Sequence, residues 1–552
     1  MNRETESHFS NLPTLSTKRS SFKRPSTHKT SFNASDLIPI YVDSDILPGD
    51  SVKMRMAEIV RMQTPIFPVM DNAYMDIYFF FVPHRIVWEH WKEFWGENNL
   101  TAWEQQVPYE IPQIEAPAST GWTEGTIADY MGIPTGVDDI SVNHLPFRSY
   151  VKCWNDWFRD ENLKDPAFIQ SDETTLTGAN SGNYVTAAQL GAKPLKVAKY
   201  HDYFTSALPA PQKGPSVTLP LGSTAPIIGT SNVPTFEASD LDSTMVGKEL
   251  YARTASANYI TYFGDMSAQS QHIIQNAKSL GLAADLSNAI GATINQLRQA
   301  FAVQAFYEAQ SRGGSRYVEF IKNIFGVTSP DGRLQRSEYL GGTRIQINMD
   351  QVLQTSSTDA VSPQGNTAAF SCTVNSEEDL FTHSFTEHGT LIGLACIRTD
   401  HTYQQGINRM WSRKKWTDFY VPQLANLGEV PILNKELYAQ GNSVVDADGN
   451  IVDNQVFGYQ EAWADYRYMP SRVSGEMRSS YAQTLDAWHY ADDYNTLPTL
   501  SSGWIDETED NIDRTISVQH STANQFFGDF YFDPVYVRPM PVYSIPAMLN
   551  HF

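Results

Sequence analysis

Lys18, Arg19, Lys23, Arg24 and Lys29 fall within twelve residues near the start of the chain, with Phe22 among them. Cations at this density neutralise phosphates by counterion release, without reading a base sequence. An interleaved phenyl ring can stack on an unpaired base. The combination points to DNA contact, against the plain alternative of a solvated terminus. The rest of the chain has the opposite sign. The first thirty residues hold six basic and two acidic side chains, the remainder 34 and 60, for a formal charge of −22 overall. A nucleic-acid-binding domain is basic throughout its contact face, so DNA contact is expected of this arm and not of the body.

Other chemistry would show at its own spacings. His383 and His388 stand five apart in a Ser/Thr-rich, strand-like stretch, and two loop histidines are preferred over a metal site. Asp446, Asp448, Gly449 and Asn450 resemble the opening of a calcium loop. Phe457 occupies the twelfth position, where the bidentate Glu belongs, so a turn is expected instead. Trp88, Trp91, Phe94 and Trp95 could stack sugars or bases, but their helical spacing favours packing against a core or a neighbouring subunit. No Walker loop, H-E-x-x-H, G-x-S-x-G or strand–GxGxxG–helix motif occurs. Cys153, Cys372 and Cys396 are scattered and odd in number, which argues against a disulfide framework and structural zinc. Neither enzyme activity, nor a cofactor, nor a bound metal is expected.

The elements that would hold such groups read mainly as strands. Ser51–Met62 alternates, with Val52, Met54, Met56 and Glu58 on one side and Lys53 and Arg55 on the other. Ala73–Val82 and Thr390–Ile397 are apolar on both faces, which suits strands buried between layers. Asn524–Val537 alternates around Asp529 and Asp533, and Val444–Val452 reads as a hairpin turning at Asp448–Gly449. Helices are expected over Arg85–Trp95, from Pro146 through Phe158, over Thr293–Arg312 with a Thr293/Gln296 capping box and a Gly313–Gly314 stop, and over Ser315–Phe325. Ile294, Leu297, Phe301, Ala305 and Glu308 track one face of the third. Thr205–Phe236 carries six prolines and a single charge, Lys213, and reads as an elaborated loop. The Ser/Thr-rich arm is expected to pack no core of its own. Aromatic residues make up 12% and charged residues 18%, too aromatic and too sparsely charged for a disordered chain. The start shows no apolar signal segment, and the most hydrophobic run, Ile77–Val82, is too short to span a bilayer.

Several collinear stretches carry a resemblance: FNASDLIPIYVDSDILPGD from Phe32, MQTPIFPVMDNAYMDIYFFFVPHR within 60–98, DYMGIPTG at 129–136 and LPFRSYVKCWNDWFRDENL at 145–163. The block TINQLRQAFAVQAFYEAQSRGGSRYVEFIKNIFG opens the strongest match, 293–342, and GYQEAWADYRYMPSRVSGEMR at 458–478 and RPMPVYSIPAML at 538–549 follow. Together they resemble the major capsid proteins of the small single-stranded DNA phages of the Microviridae, the gokushovirus branch. The resemblance implies a mainly β chain built on an eight-stranded antiparallel jelly roll with long, partly helical insertions. Sixty copies would form a T=1 icosahedral shell around circular single-stranded DNA, in a virion assembled in the host bacterial cytoplasm. It further implies a threefold surface protrusion that meets a host receptor, and a separate small basic viral protein and other minor virion proteins as partners. No enzymatic activity and no membrane insertion come with it.

The expected organisation is a basic internal arm at 1–31, the first part of the jelly roll at 32–169, a variable insertion at 170–290 and the remainder of the roll at 291–552. The competing reading is a β-sandwich carbohydrate-active enzyme or lectin, which would need an export signal and a defensible acid pair. A host-attachment spike would share the variable loop without needing the collinear blocks.

Overall fold

The computed structural model describes residues 18–97, 109–214, 335–355 and 367–543, with the helix Ile294–Gly313 and short stretches between 227 and 326 and at 364–365. Eleven strands build its two main sheets. They are β1 (Ser20–Lys23), β2 (Ser26–Phe32), β3 (Ile38–Ile46), β4 (Ser51–Met62), β5 (Ala73–Pro83), β6 (Glu338–Ile347), β7 (Met349–Leu353), β8 (Thr367–Ser384), β9 (Gly389–Thr399), β10 (Phe526–Phe532) and β11 (Val535–Arg538). All pairings within these sheets are antiparallel.

Alternation in β4 decides the first sheet. Its even-numbered residues are buried and most of its odd ones exposed, so one face must be covered. On one edge β8 pairs along the strand, with β7 beyond it. On the other, β10 takes the Met56–Met62 half and β11 the Ser51–Lys53 end, with β2 and β1 outside them. The second sheet runs β6-β5-β9-β3. Val52, Met54, Met56 and Val60 share one core with Met75, Ile77, Phe79 and Phe81 of β5 and with Phe526, Phe530 and Phe532 of β10. Two antiparallel sheets thus enclose a single apolar layer.

The second sheet is buried on its outer face as well. Phe80 and Val82 of β5, and Ile392, Leu394 and Cys396 of β9, point away from the first sheet. They pack on α1 (Leu145–Trp157) and on Trp88, Trp122, Leu195 and Val197. This is why both strands read as apolar on each side. Pro146 sits in the first turn of α1, as its spacing predicts. Tyr150 Oη donates to Leu37 O at 2.7 Å and Trp154 Nε1 to Lys196 O at 2.8 Å, so the helix carries its buried polar atoms satisfied.

Several expectations need correction. The Arg85–Trp95 helix is a turn at His84–Ile86 and one helical turn at Trp91–Phe94. Trp88 is fully buried, Glu89 N bonds Ser171 O, and Val87 O accepts from the buried Arg148; these tertiary bonds replace the helical ladder. The arm, expected only to pack no core of its own, extends the first sheet from residue 20 onward as β1 and β2. The segment 170–211, expected within the insertion, packs with the sheets: Ala188, Leu195 and Val197 belong to the second core. Val445 bridges Ile451 around the turn at Asp448–Gly449, as expected.

The chain divides into two compact units, Gln212–Gly313 and the remainder. The smaller holds α2 (Ile294–Gly313) and short antiparallel pairs such as Tyr251–Ser256 with Tyr259–Phe263. Phe301, on the face of α2 that its spacing tracks, is 66% exposed. Thr293 and most of Ser315–Phe325 lie outside the described residues, as does most of the Thr205–Phe236 loop.

Candidate nucleic-acid interface

The six arm residues are not equivalent once strand pairing fixes them. In β1, Ser21 and Lys23 point outward, while Phe22 packs as a half-buried ring against the core between the sheets. A ring so placed is not available to stack on a base. Arg24 forms an ion pair with Asp43 at 2.6 Å and lies 5.0 Å over the Tyr536 ring, over which Arg538 also lies at 4.6 Å. Tyr536 Oη donates to the same Asp43 carboxylate and shares a 2.7 Å hydrogen bond with Tyr41 Oη. Burial opposes the Arg24 charge, but Asp43 and the two phenols outweigh it and hold the guanidinium above its ordinary pKa. Burial pushes the Tyr41 phenol up to about 12. Arg24 is therefore an anchor that ties β1 and β2 to β3 and β11.

Arg19 is also engaged. Its guanidinium bonds Gly49 O, Ser51 Oγ at 3.1 Å and Val537 O at 3.2 Å. Lys29 pairs with Asp529 at 3.3 Å across β2 and β10, with both side chains largely exposed, an arrangement that contributes at most about 1 kcal/mol. Lys18 and Lys23 are exposed and make no ion pair among the described residues. Of six residues read alike in the sequence, two are free cations, one is weakly paired and three hold the sheet edge together.

The alternative sites resolve into structure. His388 stacks on Trp95 with ring centroids 4.7 Å apart, and burial lowers its pKa. His383 lies 3.8 Å from Glu338 and edges Phe385. Asp446 Oδ1 accepts the amides of Asp448 and Asn450 at 2.9 and 2.8 Å, so its carboxylate closes the turn. Among the described residues no group of three metal-ligating side chains comes together. Cys153 and Cys396 are buried free thiols, and burial pushes Cys396 up to about 12.

Two buried ion clusters carry no motif in the sequence. Asp76, within an otherwise apolar run, receives Arg344 at 2.7 Å, Arg398 at 2.5 Å and the Tyr200 hydroxyl at 2.6 Å. Burial would favour its neutral form, but the Arg398 charge and these hydrogen bonds hold its carboxyl below the usual range. His401 lies between Asp492 at 2.8 Å and Glu507 at 3.0 Å. With both ring nitrogens facing carboxylates, it is an imidazolium. Burial opposes that charge, and the two carboxylates overcome it and push its pKa up to about 10. Neither ring nitrogen is left for a metal or a reacting proton. The only sequence signal was a carboxylate inside an apolar strand, in the case of Asp76.

The described residues thus contain anchored charges, an exposed basic strand edge and extensive aromatic surface, and no helix among them is long and apolar enough to cross a membrane. A family model described as "Capsid protein (F protein)" matches residues 10–548. The chain is 43% identical over 533 residues to capsid protein VP1 of Spiroplasma virus 4, covering 94% of each chain. It is 41% identical over 555 residues to capsid protein VP1 of Bdellovibrio phage phiMH2K, covering 100% of this chain and 99% of the relative. Against capsid protein VP1 of Chlamydia phage 1 the identity is 37% over 586 residues, covering 98% and 97%. Similarity of this length and level decides the family: this chain belongs to the capsid protein (F protein) family of Microviridae-type phages, whose members are structural virion components and not enzymes.

Proposed function

We propose that sixty copies of this chain form a T=1 icosahedral shell around a circular single-stranded DNA genome. In this reading the two sheets are the layers of an eight-stranded jelly roll elaborated at its edges. The observation that carries it is similarity to capsid proteins along nearly the whole chain, joined to two antiparallel sheets that enclose one core. The variable region within 212–290 supplies the threefold protrusion and the contact with a host receptor. The arm faces the interior, where Lys18, Lys23 and Lys29 meet phosphates, while Arg19, Phe22 and Arg24 anchor it. A small basic viral protein shares the neutralisation of the genome with the arm, and assembly takes place in the host cytoplasm.

Expression of the chain and examination by sedimentation and electron microscopy tests the shell; a stable monomer would sink it. The arm is tested by Lys18→Gln/Lys23→Gln. Each phosphate contact contributes about 0.7 to the log–log salt slope of single-strand binding, so losing two lowers the slope by about 1.4. An unchanged slope would remove the arm from the DNA interface.

A further inference from the structure

Several of the most exposed large rings in the sheet-containing unit lie in one neighbourhood. Trp411 is 74% and Trp416 73% exposed, and Met469 is 69% exposed. Phe419, Tyr420, Leu427, Tyr466 and Tyr468 are each about half exposed. They come from two stretches, the turns Arg409–Ser412 and Trp416–Asp418 and the short helix Ala464–Arg467 with the chain after it. Tyr420 lies 6.2 Å from Tyr466 and 5.6 Å from Trp463 between ring centroids. Trp411, Tyr468, Met469 and Arg472 line one groove of about 270 Å³. Patches of this kind are rare on monomers and mark contact surfaces.

The platform is built to stay open. Arg413 is clamped by an ion pair with Asp465, with its guanidinium 4.3 Å over Tyr466 and 5.7 Å from Phe419. Trp463 Nε1 donates to Leu424 O at 2.8 Å, and Tyr420 N to Tyr466 Oη at 3.2 Å. A surface already ordered loses less freedom on binding. Its carboxylates are committed: Asp418 to the Lys414 and Lys415 amides at 2.8 Å, Asp465 to Arg413, and Glu436 to Arg409 and to the Tyr203 hydroxyl. Lys414, Lys415 and Arg472 are exposed and make no ion pair among the described residues. The patch is thus positive on a chain of net charge −22.

We propose that a second copy of this chain covers the platform in the shell, seating an acidic, apolar face over Trp411 and Trp416. This rests on the assembly reading above and names its surface. Trp, Tyr, Met and Arg are the residues enriched in buried protein interfaces. Leu427, Met410 and Met469 add aliphatic area that suits a protein face and offers nothing to a phosphate–base chain. An isologous twofold contact centred here would set Lys414 and Lys415 against their own like charges. The contact is therefore heterologous, platform against a different face, and runs around a threefold or fivefold axis.

Two double variants test it, Trp411→Ala/Trp416→Ala and Lys414→Glu/Lys415→Glu, each compared with the wild-type chain for melting behaviour, shell yield and DNA content. The substituted side chains are exposed, so both variants are expected to melt like the wild type and to yield at least tenfold fewer shells. Wild-type shell yield from the variants would overturn the proposal, and wild-type yield with depleted DNA would reassign the platform to the genome. Hydroxyl-radical footprinting of wild-type shells needs no variant. Trp411 and Trp416 are expected to be protected relative to dissociated subunits, and equal labelling would also overturn the proposal. Failure of the wild-type chain to form any shell would instead overturn the assembly reading beneath it.

Discussion

Asp76 occupies the centre of an apolar strand and is 1% exposed, yet it is charged, because two guanidinia and a phenol converge on it. Buried ions survive only where every charge is matched, since desolvation costs several kcal/mol per ion. The imidazolium of His401 follows the same rule, and its stability contribution has a sign. Its folded pKa of about 10 lies above the ordinary value of roughly 6.5. Its contribution is therefore fully present below pH about 6.5 and is lost as pH rises through 10. Asp492, held well below the ordinary carboxylate range, contributes above pH about 4 and loses that contribution on acidification. Denaturant unfolding of the chain should thus show its midpoint falling between pH 7 and 10. An imidazole resonance of His401 titrating near 6.5, or a level midpoint across that range, would contradict the assignment. Sequence alone could not place these groups, because their partners lie about 90 to 320 residues away.

At the scale of elements, legibility followed burial contrast. β4, β5 and β9 were readable because one or both faces enter a core, which imposes period two or a continuous apolar run. β1 and β2 were not, because they lie outermost on one side of their sheet, carry Ser, Thr and Lys, and bury little beyond Phe22 and Phe32. Their pairing to β10 and β11, about 500 residues away, decides their conformation. The Trp-rich turn misled for the opposite reason: its rings keep helical spacing, but tertiary hydrogen bonds to its backbone leave one turn of helix. The sheet also contains a point of close approach. Gly393 in β9 pairs with both β5 and β3, and a Cβ there would stand 2.9 Å from the Phe79 ring and 3.0 Å from Tyr41 Cβ. Overpacking a core by one methyl group costs about 1–3 kcal/mol. Gly393→Ala should lose that much stability by denaturant titration, and Phe79→Leu in the same background should restore part of it. A neutral Gly393→Ala would show that the Phe79 ring and Tyr41 can give way without cost.

For the whole molecule, the division into units makes a separable prediction. Among the described residues, none of the members of the three apolar cores falls between 212 and 313. The described members of the sheets' core, the α1 core and the third core around Tyr403 and Ile432 all come from the larger unit. A domain with its own core folds alone, and insertions at its surface cost only the slowly growing entropy of loop closure. The sequence had placed the start of this insertion near 170, because the family resemblance thins there, whereas packing continues through Val197 and Phe204. Loss of resemblance reports variability; only contacts report which core a segment completes. Replacing 212–313 by a short Gly/Ser linker should therefore leave a chain that melts cooperatively, with β-rich circular dichroism and a thermal midpoint within a few degrees of the parent. The same excision begun at residue 170 should abolish cooperative melting, because it removes Leu195, Val197, Tyr203 and Phe204 from two cores. Equal behaviour of the two excisions would show that the core boundary does not lie at residue 211.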